Sequence, residues 1–184
     1  MAVNINKQFN PVHALSVSQV PLEDYDKVRK IATRWQSLAQ KYNKDKEYNE
    51  KMIDSQEICG RLATGITEEM RVDVCYLGNI QQAIIATFEE KDHIQIDLLA
   101  SCPWNISPIE GIENFPVKGS ATVLMWQVFQ RALSQEKDVE VEAYQSSRGF
   151  YDRWGFVTKG EEDWPKNPMI IEFKSLCKKY PEYR

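Results

Sequence analysis

Three apolar runs lie close together in the middle of the chain, and the gaps between them decide how they can pair. Met70–Tyr76, Gln82–Glu89 and His93–Cys102 are rich in Ile, Val and Leu, with Gly78-Asn79 and Glu89–Asp92 as turns. A crossover helix does not fit into gaps of this size, so three consecutive antiparallel strands are expected. His93–Ala100 becomes continuously apolar near its end, as a central strand buried on both faces does. The next strand pattern, Val139–Ala143, comes only after a helical one. That helix opens at Gly119–Met125 and places Leu124, Met125, Val128, Phe129, Ala132 and Leu133 on its buried stripe, with Gln127, Gln130 and Arg131 toward solvent. Strand, loop, helix and strand in this order form a βαβ unit, whose strands are parallel with a right-handed crossover.

The flanking segments read as follows. Met1–Pro11 is a polar lead-in and Val12–Ser18 a short alternating strand. Pro21 opens a helix with Glu23 and Asp24 in the first turn, where negative charge suits the helix dipole. Leu22, Tyr25, Val28, Ile31, Ala32, Trp35, Leu38, Ala39 and Tyr42 then recur at three and four. A connection is expected within the polar Lys41–Lys51, then a second helix to about Ala63, ending near Gly65, with Tyr48, Met52, Cys59 and Leu62 on one face. Pro103–Lys118 is a loop of 16 residues with three prolines, long enough to be functional or mobile. After Val139–Ala143 come a short helix over Ser147–Arg153, closed by Gly155-Phe156, and a last strand, Met169–Phe173. The charged tail to Arg184 is expected to pack at an edge. No linker divides these parts, so one mixed α/β, α+β-like domain over residues 1–184 is the expectation.

Composition narrows the function. The 184 residues carry 23 Lys and Arg against 27 Asp and Glu, a net charge of -4, which gives no basic surplus for a nucleic-acid backbone. Cys59, Cys75, Cys102 and Cys177 form no CxxC and are expected to be free, buried thiols in a reducing compartment. The N-terminus lacks the apolar run of a signal peptide, and no stretch approaches the roughly 20 apolar residues of a membrane span, so a soluble cytoplasmic protein is expected. His13 and His93 stand in no ligand spacing, and no metal is expected. His93 and Asp97 share a strand face about 13 Å apart, too far for a dyad.

Two segments carry chemistry. Lys118-Gly119-Ser120-Ala121-Thr122 opens a helix after a strand and loop. The first NH groups of a helix lack internal partners, and small residues let an anion approach them. The segment is either such an anion grip or an ordinary small-residue turn. It has neither the Gly-Lys-Ser/Thr order of a P-loop nor the dinucleotide pattern G-x-G-x-x-G. In Ser146–Phe156, Tyr151 lies four residues before Gly155. Phe150, Tyr151, Trp154 and Phe156 are either all core aromatics, or the Tyr151 phenol stands at the sheet opening as a proton donor. Asp97, Glu140 and Glu142 are carboxylates on the two strands beside that opening, equally readable as surface charges. Cys102 is a nucleophile without a placed base, and Trp104 anchors the long loop or walls a neighbouring binding site.

With these segments the chain resembles the GNAT superfamily of acetyl-CoA-dependent N-acetyltransferases. Gly119-Ser120-Ala121 and Leu124 match the family's G-x-G/A turn and following leucine; Val141, Ala143, Phe150, Tyr151, Gly155 and Phe156 match its second half. The order of elements agrees from Val12 to Phe173. Departures are Pro116 where the family often has Arg or Gln, Ala121 at the turn's third position, a longer loop before it, and no clear equivalent of the asparagine that often starts the last helix. The resemblance implies a central mixed sheet splayed between two parallel strands, near Leu99-Ala100 and Ala143, with helices on both faces. It implies acetyl-CoA as cosubstrate, its pantetheine arm against Leu98, Leu99 and Ala100 and its pyrophosphate at Lys118, Gly119, Ser120, Ala121 and Thr122, with Ser147 nearby. The acceptor would be the amine of a small molecule or peptide. Tyr151 would be the acid toward the CoA thiolate, Asp97 the first choice of base, and a backbone NH near Leu99–Ser101 the oxyanion donor. A homodimer is compatible with this reading. The alternative is a CoA-binding regulatory module of the same fold without turnover; a structural or interaction domain is a third reading.

Overall fold

The computed structural model describes residues 15–45, 50–106, 117–160 and 166–181. The lead-in Met1–Pro11, residues 12–14 of the first strand with His13, Tyr48, the loop residues 107–116 and the end of the tail lie outside the described residues.

In chain order the elements are β1 (Leu15–Gln19), a 3-10 turn (Leu22–Asp24), α1 (Tyr25–Asp45), α2 (Glu50–Gly65), β2 (Arg71–Leu77), β3 (Ile80–Glu89) and β4 (His93–Ser101). They continue as α3 (Pro103–Ile106), α4 (Ser120–Gln135), β5 (Asp138–Tyr144), α5 (Gln145–Trp154), β6 (Val157–Thr158), β7 (Lys166–Ile171) and α6 (Phe173–Lys179). One seven-stranded sheet runs β1-β2-β3-β4-β5-β7-β6. The short gaps make β2, β3 and β4 antiparallel neighbours, and the α4 crossover makes β4 and β5 parallel. The expected mixed α/β architecture is what the chain adopts. Helices cover both faces. Leu124, Met125, Val128, Phe129, Ala132 and Leu133 of α4 pack with Leu176 and Cys177 of α6 on one face. Val28, Ala32 and Trp35 of α1 pack with Cys59 and Leu62 of α2 on the other.

Several local expectations change. Arg131 is not a solvent residue: its side chain is 11% exposed. It reaches from α4 to the sheet, with Nη1 3.0 Å from Glu89 Oε1 and Nη2 3.0 Å from Thr87 Oγ1. The cause is Asp73, a β2 carboxylate only 2% exposed, which draws Arg131 to 4.0 Å beside its close partner Arg71. A buried carboxylate is tolerated only when paired. The first helix opens with the 3-10 turn after Pro21, and the long loop begins with the short helix α3, whose buried Trp104 meets Trp35 edge-on at 6.1 Å. The last strand ends at Ile171, and the tail forms α6 because Phe173, Leu176 and Cys177 have an apolar seat against α4. Finally, β6 adds two edge residues that no sequence pattern announced.

One irregularity in β4 positions everything that follows. Ala86 pairs with Leu98 but Thr87 pairs with Ile96, so Asp97 is an extra residue in the ladder. Such a bulge shifts the side-chain phase. Ile94 and Ile96 face α4, whereas Leu98 and Ala100 face α1 and α2.

Candidate active site

The parallel pair β4–β5 is hydrogen-bonded only from His93↔Asp138 to Ile96↔Val141. Beyond the bulge the strands part. β4 runs on to Ser101 held by β3, and β5 runs on to Tyr144 held by β7. The edge of β4 facing β5 is therefore left without a strand partner from Asp97 onward, and its backbone groups are open to a ligand.

A cavity of about 180 Å³ fills the slit, lined by Asp97, Leu98, Leu99, Ala121, Ser147 and Tyr151, with Glu142 and Tyr144 from β5. A wider cavity of about 610 Å³ adjoins it, sharing Leu99 and Ser147 and reached by Ala100, Asn105 and Lys51. The structure thus brings Asp97, Leu98, Leu99, Ala121, Ser147 and Tyr151 around one space, with Ala100 next door. Lys118, Gly119, Ser120 and Thr122 do not line either cavity; they form the junction that leads into Ala121. There Gly119 takes φ 95° and ψ 0°, a left-handed conformation that suits glycine, and no side chain caps the helix. The first hydrogen bond inside α4 is Val123 N to Gly119 O, so the NH groups of Ser120, Ala121 and Thr122 lack helical acceptors.

Tyr151 is 5% exposed, and its ring meets Phe150 and Phe156 edge-on. Its hydroxyl makes no hydrogen bond among the described residues. Burial pushes its phenol far above the usual tyrosine range. Asp97 does not stand free: Arg61 of α2 donates to its Oδ1 at 3.1 Å. Glu140 receives Lys159 at 2.6 Å. Ser147 Oγ donates to Tyr144 O at 3.0 Å, turning the chain from β5 into α5.

The sequence reading missed the contribution of α2. Its Glu57 accepts a hydrogen bond from the Tyr144 hydroxyl, and its Asp54 accepts one from Ser146. Asp54, Glu57 and Arg61 are spaced by three and four, so they share a polar stripe beside the buried one of Met52, Ser55, Cys59 and Leu62. That spacing was visible; its targets on β4 and α5 were not. Burial, then the Glu57 bond, raise the Tyr144 phenol to about 12 against the opposing pull of Arg61.

Cys102 is buried, and its thiol donates to Gln82 Oε1 at 3.5 Å. Burial raises it far out of the nucleophilic range. Cys59 and Cys75 are pushed from 9.0 to about 12 by burial. In the unfolded chain these two thiols ionise above pH 9.0, while the native ones keep their protons, so stability falls as pH rises. From pH 8 to pH 10 these two thiols should cost about 3 kcal/mol, and the buried Cys102 adds a similar share per thiol in the same direction. Urea titrations at the two pH values measure it; an unchanged free energy would contradict the burial of these thiols. Among the described residues no group of three or more His, Cys, Asp or Glu could hold a metal ion, and no helix is long and apolar enough to cross a membrane.

No family model matches the chain, and no curated protein matches it. Solved structures do. An N-acetyltransferase, PaiA, of Thermoplasma acidophilum in complex with coenzyme A superposes with a TM-score of 0.54 at 12% identity, covering 86% of this chain and 98% of that one. The ribosomal-protein-S18-alanine N-acetyltransferase of Escherichia coli gives 0.54 at 12% identity, over 85% and 90%. A tyrosine-to-phenylalanine mutant of the AtaT toxin, bound to the C-terminus of the antitoxin AtaR and acetyl-CoA, gives 0.52 at 16% identity, over 91% and 98%.

Proposed function

The chain has the fold of the GNAT N-acetyltransferases, and from that premise we propose that it transfers an acetyl group from acetyl-CoA to a primary amine by direct attack. The observation that carries the reading is the parting of β4 and β5 after Ile96 and Val141, beside the uncapped start of α4 and with Tyr151 in the slit. Two structural neighbours hold coenzyme A or acetyl-CoA, which supports the same ligand here.

The residues fit that ligand. The free NH groups of Ser120, Ala121 and Thr122, with Lys118 beside them, suit a pyrophosphate, since backbone donors and the helix dipole both favour an anion. The β5-facing backbone edge of Leu98, Leu99 and Ala100 suits the amides of the pantetheine arm, which would take the strand position that β5 has vacated. Ser147 lines both cavities and adds a hydroxyl. The thioester supplies an activated carbonyl. The neutral amine nitrogen attacks it and forms the carbon–nitrogen bond, the carbon–sulfur bond breaks and the sulfur takes the Tyr151 proton, and the surplus proton on the new amide nitrogen leaves to water, which in turn restores the proton of Tyr151. Backbone NH groups at Leu99–Ser101 face the carbonyl oxygen as charge develops. Asp97, its Oδ1 already bound to Arg61, attracts and orients the ammonium with Glu142.

The test has two stages. Calorimetry should detect coenzyme A binding, and its absence at about millimolar concentration, the weak limit for a working cosubstrate, would overturn the reading. Thiol release from acetyl-CoA across a panel of small amines and N-terminal peptides should then identify the acceptor. Binding without thiol release from any amine would instead identify a CoA-binding module.

A further inference from the structure

Strand alternation sorts the polar groups of the slit onto opposite faces of the sheet. Val139, Val141 and Ala143 of β5 pack on the α4 face, where Tyr151 also packs, so Glu140, Glu142 and Tyr144 face α2. Tyr144 lies three residues past the last β5 partner of β4, inside the slit, and its hydroxyl crosses to Glu57. Glu57 is itself exposed. A buried phenol that lines the reaction cavity and donates to a solvent-facing carboxylate is a route for a proton from cavity to water.

We propose that Tyr144 takes the proton of the acceptor ammonium while passing its own to Glu57, so that this phenol–carboxylate pair is the base on the face opposite Tyr151. The inference rests on the acyltransferase reading. In the step an N–H bond of the ammonium breaks and its proton forms a bond to the Tyr144 oxygen. The Tyr144 O–H bond breaks and its proton moves to Glu57 Oε1. The nitrogen keeps its electron pair for attack, and Glu57 returns the proton to water. Because both transfers are coupled, no free tyrosinate has to form, which the elevated Tyr144 phenol would resist. Arg61 of α2 acts on Tyr144 directly, Asp97 of β4, Glu142 of β5 and Tyr151 of α5 line the same cavity, and Asp54 of α2 stands beside Glu57 on the polar stripe, bound to Ser146. Arg61 bridges the arrangement, bound to Asp97 on one strand and opposing the rise of Tyr144 on the other.

The experiment compares Tyr144→Phe, Glu57→Gln and Glu57→Asp with the unaltered protein, reading thiol release with one accepted amine from about pH 6 to about pH 10, a range that spans the base's titration. Tyr144→Phe and Glu57→Gln should lower kcat about a hundredfold near neutral pH. Coenzyme A affinity should stay within about twofold, since the proposed grip is the backbone of Leu98, Leu99 and Ala100 and the start of α4, which neither substitution alters. Without the relay only amine that is already neutral reacts, so kcat should climb about tenfold per pH unit toward the amine's own pKa, where the unaltered protein has levelled off. Glu57→Asp should restore part of the rate. A wild-type pH profile in either Tyr144→Phe or Glu57→Gln overturns the relay; if Tyr144→Phe does not fold, the exposed, near-isosteric Glu57→Gln decides. An unaltered protein that acetylates no amine overturns the acyltransferase reading itself, a result distinct from an active protein whose variants match it.

Discussion

Tyr151→Phe should slow thiol release about a hundredfold or more while leaving coenzyme A binding unchanged. The departing thiolate needs a proton where water is scarce, and Tyr151 is the buried donor in the slit. Burial holds the phenol protonated well above its ordinary range, so it is in its donating form at every working pH. Phenylalanine keeps the ring contacts with Phe150 and Phe156, and the hydroxyl it deletes has no partner among the described residues. Removing a hydroxyl that has no protein partner costs little or gains up to about 1 kcal/mol. The variant should therefore melt at or above the temperature of the unaltered protein while losing turnover. A core-aromatic role predicts the same melting behaviour with full turnover, so the thiol assay separates the two, and unchanged turnover would reject the acid.

The same residues show what a sequence can disclose. The α4 stripe was legible because Leu124, Met125, Val128, Phe129, Ala132 and Leu133 repeat with the helix period, and all six are buried. The antiparallel run β2–β3–β4 and the parallel β4–β5 pair followed from gap lengths. The bulge at Asp97 did not, because Ile94, Ile96, Leu98 and Ala100 look like unbroken alternation although their faces change halfway. Arg131 was misread because what draws it inward, Asp73, lies on β2, far off in sequence. The links Arg61–Asp97 and Glu57–Tyr144 join residues 36 and 87 positions apart. Only the fold makes them neighbours. Helix α6 spans seven residues, too few for periodicity to register.

The largest loss of stability should come from Phe129→Ala, at about 3–5 kcal/mol. Phe129 is fully buried in α4, and its ring meets Trp154 at 5.4 Å, Tyr180 at 5.7 Å, and Trp126 and Phe156 at 6.1 Å. Those partners belong to α4, α5, the Gly155 turn and the end of α6, so one ring joins the elements that carry the proposed coenzyme grip and Tyr151. Alanine would leave a cavity that rigid aromatic neighbours cannot fill. At this chain length the loss corresponds to a melting temperature lower by roughly 10 °C, checked by calorimetry. A shift below about 2 °C would mean that α6 does not seat against α4. The start of α4 lies nine residues before Phe129, about 13 Å along the helix, so the grip itself should survive the substitution. Coenzyme A at a hundred times its Kd should then return about 2.7 kcal/mol, because it binds only the folded chain. Recovery of that size would tie the aromatic cluster to the fold and the start of α4 to the ligand; a variant that coenzyme A cannot rescue would show that the cluster also shapes the binding site.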